Sequence, residues 1–118
     1  MKIERELMRG AGPTAVLQLL AGGEKYGYEL VESLAAKSNG VLAMGQSTLY
    51  PLLYNLEAKG LVKSRIDDTG PRPRRFYRLT SKGEKRLAAD TKQWYALLEA
   101  FKSLGVAPQS WSTMSGGA

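Results

Sequence analysis

The chain contains no cysteine and no histidine. The first absence excludes disulfides and thiolate metal sites. The second excludes imidazole ligands, and together they remove the common nucleophile–base pairs. Any metal would have to be held by carboxylates alone, and the acids are scattered, so no enzyme, metal or cofactor is expected. No apolar run reaches the roughly 18 residues a membrane span needs. The N-terminal MKIERELMRG is charged and lacks the apolar core of a secretion signal, so a cytoplasmic location is expected. Negative charge is also scarce, with 11 Asp and Glu against 17 Lys and Arg, a net +6. Such an excess suits a polyanionic partner, either nucleic acid or an acidic membrane surface. The 118 residues fit one small domain with a marginal core, which a partner subunit would help to stabilise.

What is present reads as helix, helix, helix, hairpin and long helix. MKIERELMRG reads as a short amphipathic arm, with Ile3 and Leu7 at i, i+4. Gly12-Pro13 marks a helix start, with Pro13 at the first helical position, where its missing N–H does no harm. TAVLQLLA continues that helix to Gly22-Gly23. In EKYGYELVESLAAKSNG, residues Gly27, Leu30, Val31 and Leu34 form one face at i, i+3, i+4, i+7, and Asn39-Gly40 ends the segment. Leu49, Leu52, Leu53 and Leu56 repeat that pattern up to Gly60, a C′ position. LVKSRI and RRFYRL are strands, and DDTGPRP between them is a turn. Ser81 and Glu84 have capping-box spacing, with Thr80 as the alternative cap. Leu87, Trp94, Leu97, Leu98, Phe101 and Leu104 then trace a stripe near a 3.5-residue period, to about Gly105. The pattern predicts a mostly α fold with a small β-hairpin: a winged helix-turn-helix over 1–79, a long helix over 80–106 and a loose tail over 107–118. Trp111 lies in that tail and carries no assignment.

The third helix poses a question, because Pro51 falls inside it. An interior proline costs a helix about 3 kcal/mol or more. If Ser47 is the N-cap, Pro51 is the fourth helical residue and only one first-turn bond is lost. The leucine face then goes to the core. The opposite face carries Ser47, Thr48, Tyr50, Pro51, Tyr54 and Asn55, with Gln46 just before it. Hydroxyls and open N–H groups at a helix N-terminus suit phosphate oxygens and base edges. Tyr50 and Tyr54, at i, i+4, form an aromatic ridge that can reach sugar-phosphate and thymine methyls. The competing reading has Tyr50 packed back onto the hairpin with only its hydroxyl wet.

GPRPRRFYRL holds Arg72, Arg74, Arg75 and Arg78 with no acid among them. Arginine forks suit phosphates and narrow minor grooves. The two prolines stiffen the turn. The competing reading is a solvated turn whose charges serve solubility. Tyr77 and Leu79 share the core side of the strand, and Phe76 and Arg78 share the other.

YGYEL at 26–30, STLYPLLYNLEAKGLV at 47–62 and PRRFYRLTSKGEKRL at 73–87 resemble the PadR family of transcriptional regulators, in its short form with one C-terminal helix. The resemblance implies a homodimeric repressor on an inverted-repeat operator in double-stranded DNA. It implies that Ser47, Thr48, Tyr50 and Tyr54 enter the major groove, while Arg72, Arg74 and Arg75 contact the backbone or minor groove. It also implies a phosphate near Tyr26 or Tyr28. Lys2, Arg5 and Arg9 are candidates for further phosphate contacts.

A helix of about 25 residues spans about 37 Å, too long for a domain of this size to cover. Its apolar stripe is therefore expected to dimerise, through Trp94, Leu97, Leu98, Phe101 and Leu104. In some short PadR members a tryptophan at the position of Trp94 meets its symmetry mate, and flat aromatic ligands slide between the rings. Trp94 thus either binds a planar aromatic effector or fills the dimer seam. The rival to a DNA-binding regulator is a winged-helix module that contacts only proteins.

Overall fold

In the computed structural model, residues 1–110 are described. Helix α1 spans Arg5–Ala21, strand β1 Lys25–Tyr26, helix α2 Gly27–Lys37 and helix α3 Gln46–Ala58. Strands β2, Val62–Asp67, and β3, Arg74–Leu79, precede helix α4, Ser81–Leu104. The described residues divide into two compact units, the first Met1–Leu87 and the second beginning at Ala88. The division falls inside α4.

The core of the first unit is built from the expected helix faces. Val16, Leu17 and Leu20 of α1, Leu30 and Leu34 of α2, and Leu49, Leu53 and Leu56 of α3 are all buried. Each fully buried leucine contributes about 1.5–3 kcal/mol of apolar transfer. From the sheet side Leu61, Val62 and Tyr77 close the cluster, and Leu87 joins it from the first turns of α4. Tyr77 is on the core side as expected, with Leu79 packed against the same cluster.

Two helix starts differ from expectation. The N-terminal arm and the first helix are one element, and Pro13 lies inside it rather than at its first position. Packing explains this. Met8 is buried, and Gly12 passes so close to α3 and the loop before it that a Cβ there would lie 3.3 Å from Leu52 and 3.4 Å from Met44. The carbonyl that the Pro13 ring opposes belongs to Arg9, which is exposed and open to water. Ile3 stands before the helix, its N–H donated to the Val41 carbonyl, and Leu7 is 63 % exposed.

In α3 the N-cap is Gly45, not Ser47, and the Gly45 carbonyl accepts the N–H groups of Thr48 and Leu49. Pro51 is therefore the sixth helical residue, counting from Gln46. Its missing bond orphans the Ser47 carbonyl, on an exposed residue where water can replace the lost donor. Gly60, left-handed at φ 76°, ends the helix region as the sequence indicated.

The sheet has a strand that the sequence pattern did not reveal. β1 pairs antiparallel with β3, giving the order β1-β3-β2. Lys25 and Tyr26 are too short a run to show alternation. The hairpin pairs Val62 with Leu79 through to Asp67 with Arg74. At its tip the Asp67 carboxylate accepts the N–H and hydroxyl of Thr69, at 3.0 and 2.7 Å. Those bonds hold its pKa below the usual aspartate value, and they make Asp67 a shaping residue of the turn.

α4 starts with Thr80 as its cap, not Ser81: the Thr80 hydroxyl accepts the Gly83 N–H at 3.0 Å and donates to the Gly60 carbonyl at 2.6 Å. Gly83 is obligatory here, since a Cβ would lie 2.0 Å from the Leu61 carbonyl oxygen. In the second unit, α4 ends at Leu104 with the Gly105 N–H on the Lys102 carbonyl and the Val106 N–H on the Phe101 carbonyl, the paired bonds of a Schellman cap. Residues 107–110 stay near that end: Ala107 is buried, and the Gln109 amide donates to the Lys102 carbonyl. Trp111 and the rest of the expected tail lie outside the described residues.

Candidate nucleic-acid interface

The leucines of α3 decide which residues it presents. With Leu49 and Leu53 at 0 % exposure, the other side of the helix faces out. Gln46, Ser47, Thr48, Tyr50, Pro51, Tyr54 and Asn55 are all exposed, Tyr54 at 74 % and Tyr50 at 41 %. Gly45 has no side chain with which to cap the first turn. The N–H groups of Gln46 and Ser47, which precede those bonded to the Gly45 carbonyl, lie at the helix N-terminus with the Ser47 and Thr48 hydroxyls.

Tyr50 has a neighbour that the sequence did not disclose. Its ring lies directly on Gly27, the first residue of α2; a Cβ at that glycine would come within 2.6 Å of the Tyr50 ring edge and hydroxyl. Tyr50 is thus half seated on α2 and half exposed, so the expected ridge with Tyr54 consists of one braced ring and one open ring. Neither extreme holds for Tyr50, and its seat on α2 is one that neither reading anticipated.

The start of α2 is itself fixed. The Tyr26 N–H donates to the Glu29 carboxylate at 3.0 Å, closing the first turn. The Tyr26 ring meets Phe76 edge-on at 5.5 Å between centroids. Arg74 lies over the same tyrosine, its guanidinium carbon 4.6 Å from the Tyr26 ring centroid. Stacking uses the flat face of a guanidinium and leaves its N–H edge available. Arg65 stacks on Phe76 at 4.9 Å and grips the Glu24 carboxylate with two bonds, 2.8 and 2.6 Å. The hydrogen bonds from Arg65 hold the Glu24 pKa below its ordinary value, and Glu24 raises that of Arg65 in return. The wing base is therefore tied to the turn before α2.

These elements enclose a groove of about 840 Å³. Its walls include Tyr26, Gln46, Tyr50, Arg72, Arg74 and Arg75, six of the ten residues singled out as DNA contacts from the sequence. Tyr28, Phe76 and the turn from Thr69 to Pro73 complete it, with Asp67 as its one acid. Ser47, Thr48, Pro51 and Tyr54 are exposed on the same helix outside the groove walls. A concavity lined by guanidinium groups, tyrosines and an amide side chain can receive a phosphodiester strand, with the adjoining helix face free for base edges.

The effector candidates belong to the second unit. Leu97 and Leu104 are 38 % and 76 % exposed, and Trp94, Leu98 and Phe101 are half-buried. Among the described residues no group of three or more Asp or Glu side chains could hold a metal ion. No helix among them is long and apolar enough to cross a membrane.

A family model for PadR-like transcriptional regulators matches residues 16–89. A PadR-family transcriptional regulator from Eggerthella lenta has a crystal structure similar to this one, with TM-score 0.75 and 38 % identity over 84 % of this chain and 85 % of that one. A transcriptional regulator from Clostridium thermocellum superposes with TM-score 0.77 at 28 % identity, covering 83 % and 96 % of the two chains. A Mycobacterium tuberculosis transcriptional regulator is 35 % identical over 88 residues, 75 % of this chain and 79 % of its own. The chain belongs to the PadR-like family of transcriptional regulators, which are transcription factors and not enzymes.

Proposed function

We propose that this PadR-family member is a homodimeric cytoplasmic repressor that reads an inverted-repeat operator with α3, braces it with the wing, and is released by a planar aromatic ligand at the dimer interface. One observation carries the DNA-binding part: a residue of α2's N-cap, two of α3 and three wing arginines converge on one groove beside an exposed helix N-terminus. Ser47, Thr48, Tyr50 and Tyr54 approach base edges in the major groove, Gln46 marks the boundary with the backbone, and Arg72, Arg74 and Arg75 take phosphates. The net charge of +6 adds long-range attraction.

The dimer part is supported by the exposed Leu97 and Leu104 on a 24-residue helix. Paired through α4, two copies set half-sites about one helical turn apart, roughly 34–36 Å. Trp94 on the same helix is the proposed ligand contact, because an indole face suits flat and cationic aromatics.

The deciding experiment is duplex binding as a function of salt. Wild type loses affinity as salt rises. The Arg72/Arg74/Arg75 triple alanine shows a shallower slope on every sequence alike, by up to about 0.9 for each phosphate no longer neutralised. A flat salt response for wild type would instead favour a protein partner. Sedimentation of the full chain reads the dimer. In a Trp111→Phe background, quenching of Trp94 by planar aromatic cations reads the ligand; no response across a broad panel means that Trp94 only fills the seam.

A further inference from the structure

Two carboxylates reach β2 from opposite sides, at adjacent residues. Glu24 takes Arg65 on one face. Glu57, on α3, takes Ser64 on the other: its Oε2 accepts the Ser64 N–H at 3.2 Å and the Ser64 hydroxyl at 2.7 Å. The same hydroxyl accepts a bond from Arg75 Nη1 at 3.0 Å. An ionised carboxylate has no proton to give, so the single hydroxyl hydrogen of Ser64 is committed to Glu57. The lone pairs of that oxygen are left for Arg75, which has five N–H donors and no acceptor. The direction of the chain of bonds is therefore fixed, from Arg75 to Ser64 to Glu57. It joins the second strand of the wing to α3, and Arg75 lines the groove. One of its five donors is engaged by Ser64.

We propose that Glu57, acting through Ser64, is a positioning residue: it holds the Arg75 guanidinium at a set place relative to α3, so that a phosphate of bound duplex meets an arginine already ordered. This rests on the DNA-binding reading of the groove. Glu57 touches no nucleic acid in this role. Without the relay, the long Arg75 side chain is free to sample rotamers and must be ordered by the DNA itself, at an entropic cost.

The sign of the effect separates positioning from charge. Removing a negative charge from a protein that binds DNA should, by charge alone, strengthen binding. Positioning demands the opposite for Glu57→Ala. Glu57→Gln also removes the charge but keeps a carbonyl that accepts from Ser64.

The test is fluorescence anisotropy of the full-length protein on a non-specific duplex across a salt series, with melting temperatures recorded for each variant. Arg75→Ala lowers the slope of log K against log salt by about 0.9. At a fixed salt concentration Glu57→Ala and Ser64→Ala lower the affinity by part of the loss seen in Arg75→Ala while keeping the wild-type slope, Glu57→Gln binds as wild type, and the Glu57→Ala/Arg75→Ala pair is no worse than Arg75→Ala alone. Should Glu57→Ala fail to fold, Ser64→Ala, which deletes a single oxygen, carries the test. Affinities unchanged from wild type in Glu57→Ala and Ser64→Ala, with or without a fall in melting temperature, overturn the proposal. So does an unchanged slope in Arg75→Ala while wild type remains salt-dependent. Loss of salt dependence in wild type itself instead removes the DNA-binding reading.

Discussion

The recognition helix and the wing are proposed to touch the same duplex, yet they are held in different ways. α3 is fixed from beneath by leucines with no exposure, so its outer residues need no contacts of their own to point outward. The wing's apolar footing is confined to Val62, Tyr77 and Leu79, at the end of the hairpin away from its tip. Its cations are fixed one at a time: Arg65 by Glu24, Arg74 by the Tyr26 ring, and Arg75 by Ser64 and Glu57. Hydrophobic burial is non-directional and holds a whole face. Polar and stacking contacts hold single side chains, each weakly where water has access. The helix face should therefore fail all at once, and the wing piece by piece.

The largest effect is expected beneath the helix. Leu53→Ala should cost about 2–5 kcal/mol, a large part of the roughly 5–15 kcal/mol that stabilises a domain. Denaturant unfolding reads it directly, and a drop under about 1 kcal/mol would mean that α3 is not anchored in this way. A smaller effect follows from crowding at the seat of Tyr50. Gly27→Ala places a methyl against the ring and should cost about 1–3 kcal/mol, most of it relieved when Tyr50→Ala is added. If the two effects simply add, the ring does not rest on Gly27. Tyr50→Ala alone leaves the leucine face intact; it should lose preference for operator over random duplex while its circular dichroism stays native.

The smallest effect belongs to the wing. Glu24→Gln removes an exposed pair, and its melting temperature should fall only slightly. The sign with pH is set by the lowered Glu24 pKa. The unfolded state binds the proton more readily, so the contribution is full above the ordinary glutamate pKa of about 4.5 and is lost as pH falls through the lower folded value. Wild type and Glu24→Gln should therefore converge in acid. A difference that grows on acidification would break the assignment of that carboxylate to Arg65.

Periodicity along the chain was enough to find α2, the leucine face of α3, both hairpin strands and the end of α4, because each is a local pattern of burial. It misplaced the starts of α1 and α3. Pro13, read as a start signal, stands inside α1, which Met8 and Gly12 extend upstream, and Ser47, read as the cap of α3, is helical because Gly45 caps that helix. β1 was hidden because two residues carry no alternation. Six of the ten DNA candidates share a groove, and the arginine cluster was visible as composition. What each arginine leans on was not, since Glu24 and Arg65 lie 41 residues apart and no local spacing links them.

By itself the sequence determined the kind of protein: a basic chain without histidine or cysteine, whose leucine spacing and Gly/Pro turns specify a winged helix-turn-helix followed by a long helix. Such patterns survive in a linear reading because burial acts on every residue of a face alike. Only the tertiary structure decided which tyrosine is braced, which carboxylate holds which arginine, and how the wing is tied to α3. Those contacts depend on distances of about 3 Å between side chains far apart in the chain, and only the folded backbone sets such distances.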